Sequence, residues 1–138
     1  MILDEIKSFF EKECGLLSGR RLCVNMLDEK AHACTLEVSP APPIIQKYAD
    51  GSSLRQFVFI LATREYFDKE IREQLKANEF YEKLTEWIEE QNEKNNMPAL
   101  GGGKTAVSME ALSAGYLYDA DLPKARYQIQ LRLIYEKE

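Results

Sequence analysis

Apolar side chains recur at helical spacing in residues 2–13, where Ile2, Leu3, Ile6, Phe9 and Phe10 share one side and Asp4, Glu5, Lys7 and Glu11 fill the other. That spacing predicts an amphipathic helix, with Gly15 as its stop signal. The period then shortens to two. "RLCVNML" (21–27) and "ACTLEV" (33–38) read as short strands, the second alternating at Cys34, Leu36 and Val38. "SPAPP" (39–43) is rich in proline, which has no N–H to give a ladder, so it connects rather than pairs.

"IIQKY" (44–48) and "SLRQFVFILAT" (53–63) flank Asp50-Gly51, a turn signal that predicts a hairpin. The second of these segments is apolar on both faces, which predicts a central strand covered on both sides. "EYFDKEIREQLKANEFYEKLTEWIEEQNEKNN" (65–96) returns to helical spacing. Ile71 and Leu75 open a stripe that Phe80, Leu84, Trp87, Ile88 and Gln91 continue after a phase change near Asn78. The break predicts two helices meeting at Lys76 to Asn78.

Residues 94–104 read as a long irregular loop, and "TAVSMEAL" (105–112) as a weakly alternating strand. "ARYQIQLRLIY" (125–135) alternates most cleanly, with Tyr127, Ile129, Leu131, Leu133 and Tyr135 on one face and Arg126, Gln128, Gln130 and Arg132 on the other. Helix, strands, helices, strands, with short turns between the strands, predicts an α+β fold: a mostly antiparallel sheet packed against helices. One domain over residues 1–138 is expected, with no internal repeat and no linker visible in the sequence.

Charge and composition narrow the function. The formal net charge of −5 argues against tight, non-specific nucleic-acid binding, which needs Lys and Arg to displace counterions. The basic residues are scattered, with Arg20-Arg21 an isolated pair. No apolar run approaches the roughly 18 residues of a membrane span. Asp4 and Glu5 stand where a secretory signal carries positive charge, so the expected location is the cytoplasm, with Cys14, Cys23 and Cys34 reduced.

"PALGGGKTAV" (98–107) imitates a phosphate-binding loop, because Gly103-Lys104-Thr105 supply the end of that motif. Its opening glycine should fall at position 98, which is Pro98, and the loop leads from a helix into a strand, the reverse of what the motif needs. No nucleotide or other cofactor is expected. The glycine run reads instead as a flexible connector of the kind that orders on a partner.

His32 is the single histidine. A zinc site from Cys14, Cys23, His32 and Cys34 lacks a Cys-x-x-Cys pair, so no metal site is assigned. His32 and Cys34 are two residues apart and would share a strand face, yet no orienting carboxylate or oxyanion donor stands near them in sequence, and no catalytic residue is assigned. Asp68, Glu70, Glu73, Glu79, Glu82, Glu86, Glu89, Glu90 and Glu93, interleaved with bases as in Glu79 and Lys83, read as a solvated helix face. Tyr116, Tyr118, Tyr127 and Tyr135 fit either a protein interface or the core.

Taken in order, "DGSSLRQFVFILATREYF", "FYEKLTEWIEEQN", "LGGGKTA" and "GYLYDADLPKARYQIQLRLIYEKE" resemble a family of small proteins from tailed phages and prophages of Gram-positive bacteria. Its members are minor capsid or tail-terminator-like proteins. The resemblance spans residues 43 to 136. It implies a tail-terminator-like α+β fold and a non-enzymatic structural role at the head-proximal end of a tail. It implies self-association into a ring, commonly a hexamer, between the tail tube and the head connector, first in the host cytoplasm and then in the virion. It carries no active-site residues.

A ring needs two different complementary patches on each subunit. The candidate contacts are Asn95, Gly101, Gly102, Gly103 and Lys104 in the long loop, and Arg126, Gln128, Gln130 and Arg132 on the last strand. DNA at most passes through the lumen of such a ring, where an acidic balance would discourage sticking. The rival reading is a small cytoplasmic binding or adaptor protein that uses the same surfaces.

Overall fold

Periodicity at the N-terminus translates directly into a helix, α1 (Ile2–Glu13), that buries Leu3, Ile6, Phe9 and Phe10. The computed structural model describes residues 1–27, 32–66, 71–121 and 124–138. Within them α1 is followed by β1 (Leu22–Val24), β2 (Cys34–Val38), β3 (Ile44–Lys47), β4 (Ser53–Tyr66), α2 (Ile71–Glu93), β5 (Lys104–Ala111), β6 (Tyr116–Asp121) and β7 (Lys124–Lys137). The fold is α+β, with a mostly antiparallel seven-stranded sheet packed against the helices.

Two long strands form the spine of the sheet. β4 and β7 are antiparallel in continuous register from Ser53↔Lys137 to Tyr66↔Lys124. β2 and β3 line up one after the other along the outer side of β4, and β5 and β6 do the same along β7. The chain thus repeats one order, helix, edge strand, edge strand, long central strand, as α1–β2–β3–β4 and then α2–β5–β6–β7. Apart from β1, the strand pairings of the two halves correspond, although the sequence shows no repeat. Strand pairing and backbone direction repeat; side chains do not.

The core lies between the helices and one sheet face. Phe10, Phe59, Leu61, Leu84, Ile129, Leu131 and Leu133 are fully buried there. Each such side chain contributes roughly 1.5–3 kcal/mol relative to staying in water. Trp87 of α2 stacks on both Phe9 and Phe10 of α1, at 5.6 Å and 5.5 Å between ring centroids, and so fastens the helices to each other.

Several expectations are corrected. The helical stretch does not begin at Glu65, because Glu65 and Tyr66 end β4; residues 67–70, with Asp68 and Glu70, lie outside the described residues. α2 is one continuous helix, not two meeting at Lys76 to Asn78. Its buried stripe runs Ala77, Tyr81, Leu84, Ile88, Gln91, and Leu75 is exposed. Small Ala77 carries the stripe across the apparent phase change. β1 pairs parallel with β2, from Leu22↔Cys34 to Val24↔Leu36, so strands close in sequence are not all antiparallel here.

β6 adds a strand that the sequence pattern did not suggest. β4 is central, but the helices cover one of its faces; on the other, Val58 and Ala62 are buried opposite Arg132 and Gln128 of β7. The Asp50-Gly51 hairpin forms as expected, with Gly51 at φ 93 and the Asp50 carboxylate accepting from the Ser52 amide at 2.9 Å.

Candidate protein-contact site

Alternation along β7 sends Tyr127, Ile129, Leu131, Leu133 and Tyr135 into the core and leaves Arg126, Gln128, Gln130 and Arg132 on the helix-free face. The four form a single row, as their spacing predicts. Arg126 spans to β2 and donates to both oxygens of Glu37, Nη1 at 3.2 Å and Nη2 at 2.6 Å. Its Nε donates to Gln128 at 3.0 Å, and its guanidinium lies 5.2 Å from the Tyr118 ring centre. Gln128 donates to the Tyr116 hydroxyl at 2.6 Å. Arg132 reaches Gln56 of β4 at 3.2 Å and Glu110 of β5 at 2.7 Å, while its Nε has no hydrogen-bond partner among the described residues.

This network ties five strands together across their side chains. A planar guanidinium gripped at two or three points gives up its rotamer freedom on folding, before any partner arrives. The face is therefore pre-organised and mixed in character: ion pairs over a floor of Val58 and Ala62, with the Tyr116 and Tyr118 rings at one edge. The tyrosines divide between the two roles left open by the sequence: Tyr127 and Tyr135 are core, whereas Tyr116 and Tyr118 are 40% and 62% exposed.

The loop candidates lie elsewhere, at the end of the sheet where β5 begins, and the fold does not bring the two groups together. Nor is this stretch a loose connector. Asn96 donates to Gln91 at 2.7 Å, Met97 and Leu100 pack against the core, and Pro98 is buried. A shallow cleft of about 200 Å³ separates residues 96–99 from Glu5, Ser8, Phe9 and Lys12 of α1. Gly101, Gly102 and Gly103 have φ values of 67, 59 and 74, in the left-handed region that favours glycine. They make a tight turn closed by Lys104 N–H donating to the Gly101 carbonyl at 3.1 Å, and Gly103 accepts from Glu138 at 3.0 Å. Asn95 also takes a positive φ, at the end of α2. Asn95 and the glycines are exposed; Lys104 is half-buried at the start of β5.

Sequence reasoning missed a carboxylate. Glu65, buried at the end of β4, places Oε2 3.3 Å from His32 Nδ1 and Oε1 2.7 Å from Arg20 Nη1, an ion pair whose angle falls outside hydrogen-bond geometry. Arg20 stacks over Phe80 at 4.5 Å. His32 and Cys34 do not share a strand face, because His32 precedes β2 with φ 67 and is mostly exposed while Cys34 is buried. Burial pushes the Cys34 thiol up to about 12, so it stays protonated and is no nucleophile at neutral pH. Among the described residues no three His, Cys, Asp or Glu side chains converge as metal ligands, and no helix is long and apolar enough to cross a membrane.

Among known proteins, no family model matches the chain and no curated protein matches it.

Proposed function

We propose that this protein is a non-enzymatic structural component of a tailed phage or prophage, a tail-terminator-like, head–tail joining protein that assembles as a ring at the head-proximal end of the tail. The observation that carries the reading is the helix-free sheet face. Both helices pack on the opposite side, and on this one Arg126 is fixed by Glu37, the buried Gln128 by Tyr116, and Arg132 by Gln56 and Glu110. A broad, rigid, mixed polar and aromatic surface with little ordering cost is what a stacking subunit offers its neighbours. The four quoted sequence stretches, which resemble the phage family, supply the identity of those neighbours: the tail tube and the head connector.

The deciding experiment adds the purified chain to tail tubes assembled from its own phage and images the tube ends by electron microscopy. A ring seated on one end of each tube, in a fixed number of copies, is expected. Bare tube ends at saturating protein would sink the reading.

A further inference from the structure

The four edge strands are not treated alike. The outer side of β2 is occupied by β1, a three-residue strand at the end of the sheet, none of whose residues is exposed. The outer side of β5 is blocked at Met109, whose carbonyl accepts from Asn92 Nδ2 at 2.5 Å and whose amide donates to Asn92 Oδ1 at 2.9 Å. Among the described residues β3 and β6, the equivalent strands of the two halves, each pair on one side alone, with β4 and with β7. All four residues of β3 are exposed, including Ile44 and Ile45, and Tyr48 follows at 40% exposure. β6 exposes Tyr116, Leu117 and Tyr118. Unpaired, apolar edges of this kind are templates for another strand.

Charge and direction select the occupant. Lys47 stands on the β3 edge and Asp119 on the β6 edge, and both are exposed. β3 against β3 would bring lysine toward lysine, and β6 against β6 aspartate toward aspartate, whereas β3 against β6 brings opposite charges together. Because β3 opposes β4, β4 opposes β7 and β7 opposes β6, a neighbour in the same orientation presents its β3 antiparallel to β6. Antiparallel register that sets Lys47 against Asp119 also sets Tyr48 against Tyr118.

We infer that copies of this chain join edge to edge, β3 of one copy pairing antiparallel with β6 of the next, so that the sheet runs on from subunit to subunit. The two edges differ, so the contact is head-to-tail and builds a ring or a helical row, never a closed two-fold dimer. β3 lies at the Ser53 end of β4 and β6 at the Tyr66 end, so neighbours are staggered along the strands by roughly 30 Å. The inference deepens the assembly reading and rests on it for the identity of the final ring; the contact itself is a property of this chain.

Charge reversal tests it on the full chain. Wild type, K47E, D119K and the double variant K47E/D119K are compared by sedimentation velocity and native mass spectrometry over a wide concentration range. Wild type is expected to assemble beyond a dimer. Each single reversal should raise the concentration needed by about tenfold, and the double reversal should restore it. Hydrogen exchange of the wild type, dilute against concentrated, provides a readout independent of any variant: new protection confined to β3 and β6 is expected. A wild type monomeric at every concentration overturns the proposal, as does assembly that ignores both reversals or protection that appears elsewhere. Rings that still cap tail tubes while ignoring both reversals would leave the phage reading standing and remove this contact alone.

Discussion

Asn92 and Met109 are joined twice: both arms of the Asn92 carboxamide meet the backbone of Met109, as a neighbouring strand would. One helix side chain thereby closes the middle of the β5 edge. Asn92→Ala leaves the Met109 carbonyl and amide without these partners, and is expected to lower the unfolding free energy by about 1–3 kcal/mol. Asn92→Asp should cost as much, because a carboxylate cannot donate to the Met109 carbonyl. Urea denaturation reads the loss and light scattering the expected aggregation of the opened edge; unchanged midpoints would show that the contact contributes nothing.

Tyr81 is held from three sides. It donates to the Tyr127 carbonyl at 2.9 Å, which leaves Thr63 as the donor across the 2.7 Å contact to its hydroxyl oxygen. A Cβ on Gly115 would stand 2.3 Å from Cγ of the ring. Gly115→Ala therefore forces a pinned aromatic to move, and should destabilise by about 1–3 kcal/mol. Tyr81→Phe should cost about 1–2 kcal/mol through the hydrogen bonds it removes. Thermal melts of both variants check the pair, and a neutral Gly115→Ala would refute the tight approach.

The fork of Arg126 on Glu37 is partly shielded, with side chains 18% and 25% exposed. A double-mutant cycle of Glu37→Gln and Arg126→Gln, followed by chemical denaturation, is expected to give a coupling of about 1 kcal/mol. Coupling under about 0.3 kcal/mol would mean that the row on the helix-free face is not fixed by this pair.

Alkali should unfold the protein early. Burial raises the Cys34 thiol to about 12 from its ordinary 9.0, and it raises Cys14, Tyr81 and Tyr127 in the same direction. Above pH 9 the unfolded chain gives up its Cys34 proton first, so the folded state binds more protons and stability falls as pH rises from about 9 to about 12. Cys34 alone should cost about 1 kcal/mol by about pH 10. Urea midpoints measured from pH 7 upward should therefore decline past pH 9. In the native protein at about pH 8, iodoacetamide should spare Cys14 and Cys34 and label them only in denaturant. Rapid native labelling of Cys34 would contradict its burial.

How much of this could be read in advance depends on where each signal resides. α1 and β7 are legible because the residues that define their faces lie within one element, at a spacing the backbone imposes. The row from Arg126 to Arg132 is legible for the same reason, but its partners Glu37, Gln56, Glu110 and Tyr116 come from other strands and leave no mark beside it. The continuity of α2 was hidden because alanine at position 77 is too small to register as part of a stripe, though it is almost fully buried. β6 was hidden because an edge strand facing water on one side needs no clean alternation.

Local period and turn chemistry, then, determined by themselves α1, the cleanly alternating β2 and β7, the hairpin at Asp50-Gly51 and the α+β class. Tertiary structure alone decided that β4 and β7 form a shared spine, that both helices choose one face, and that the unlike halves of the sequence fold to the same order. It also decided which edges are closed, by β1 and by Asn92, and which stay open. Those outcomes are set by contacts between residues far apart in the chain, whose energies depend on distance and direction in space, and no pattern along the sequence encodes them.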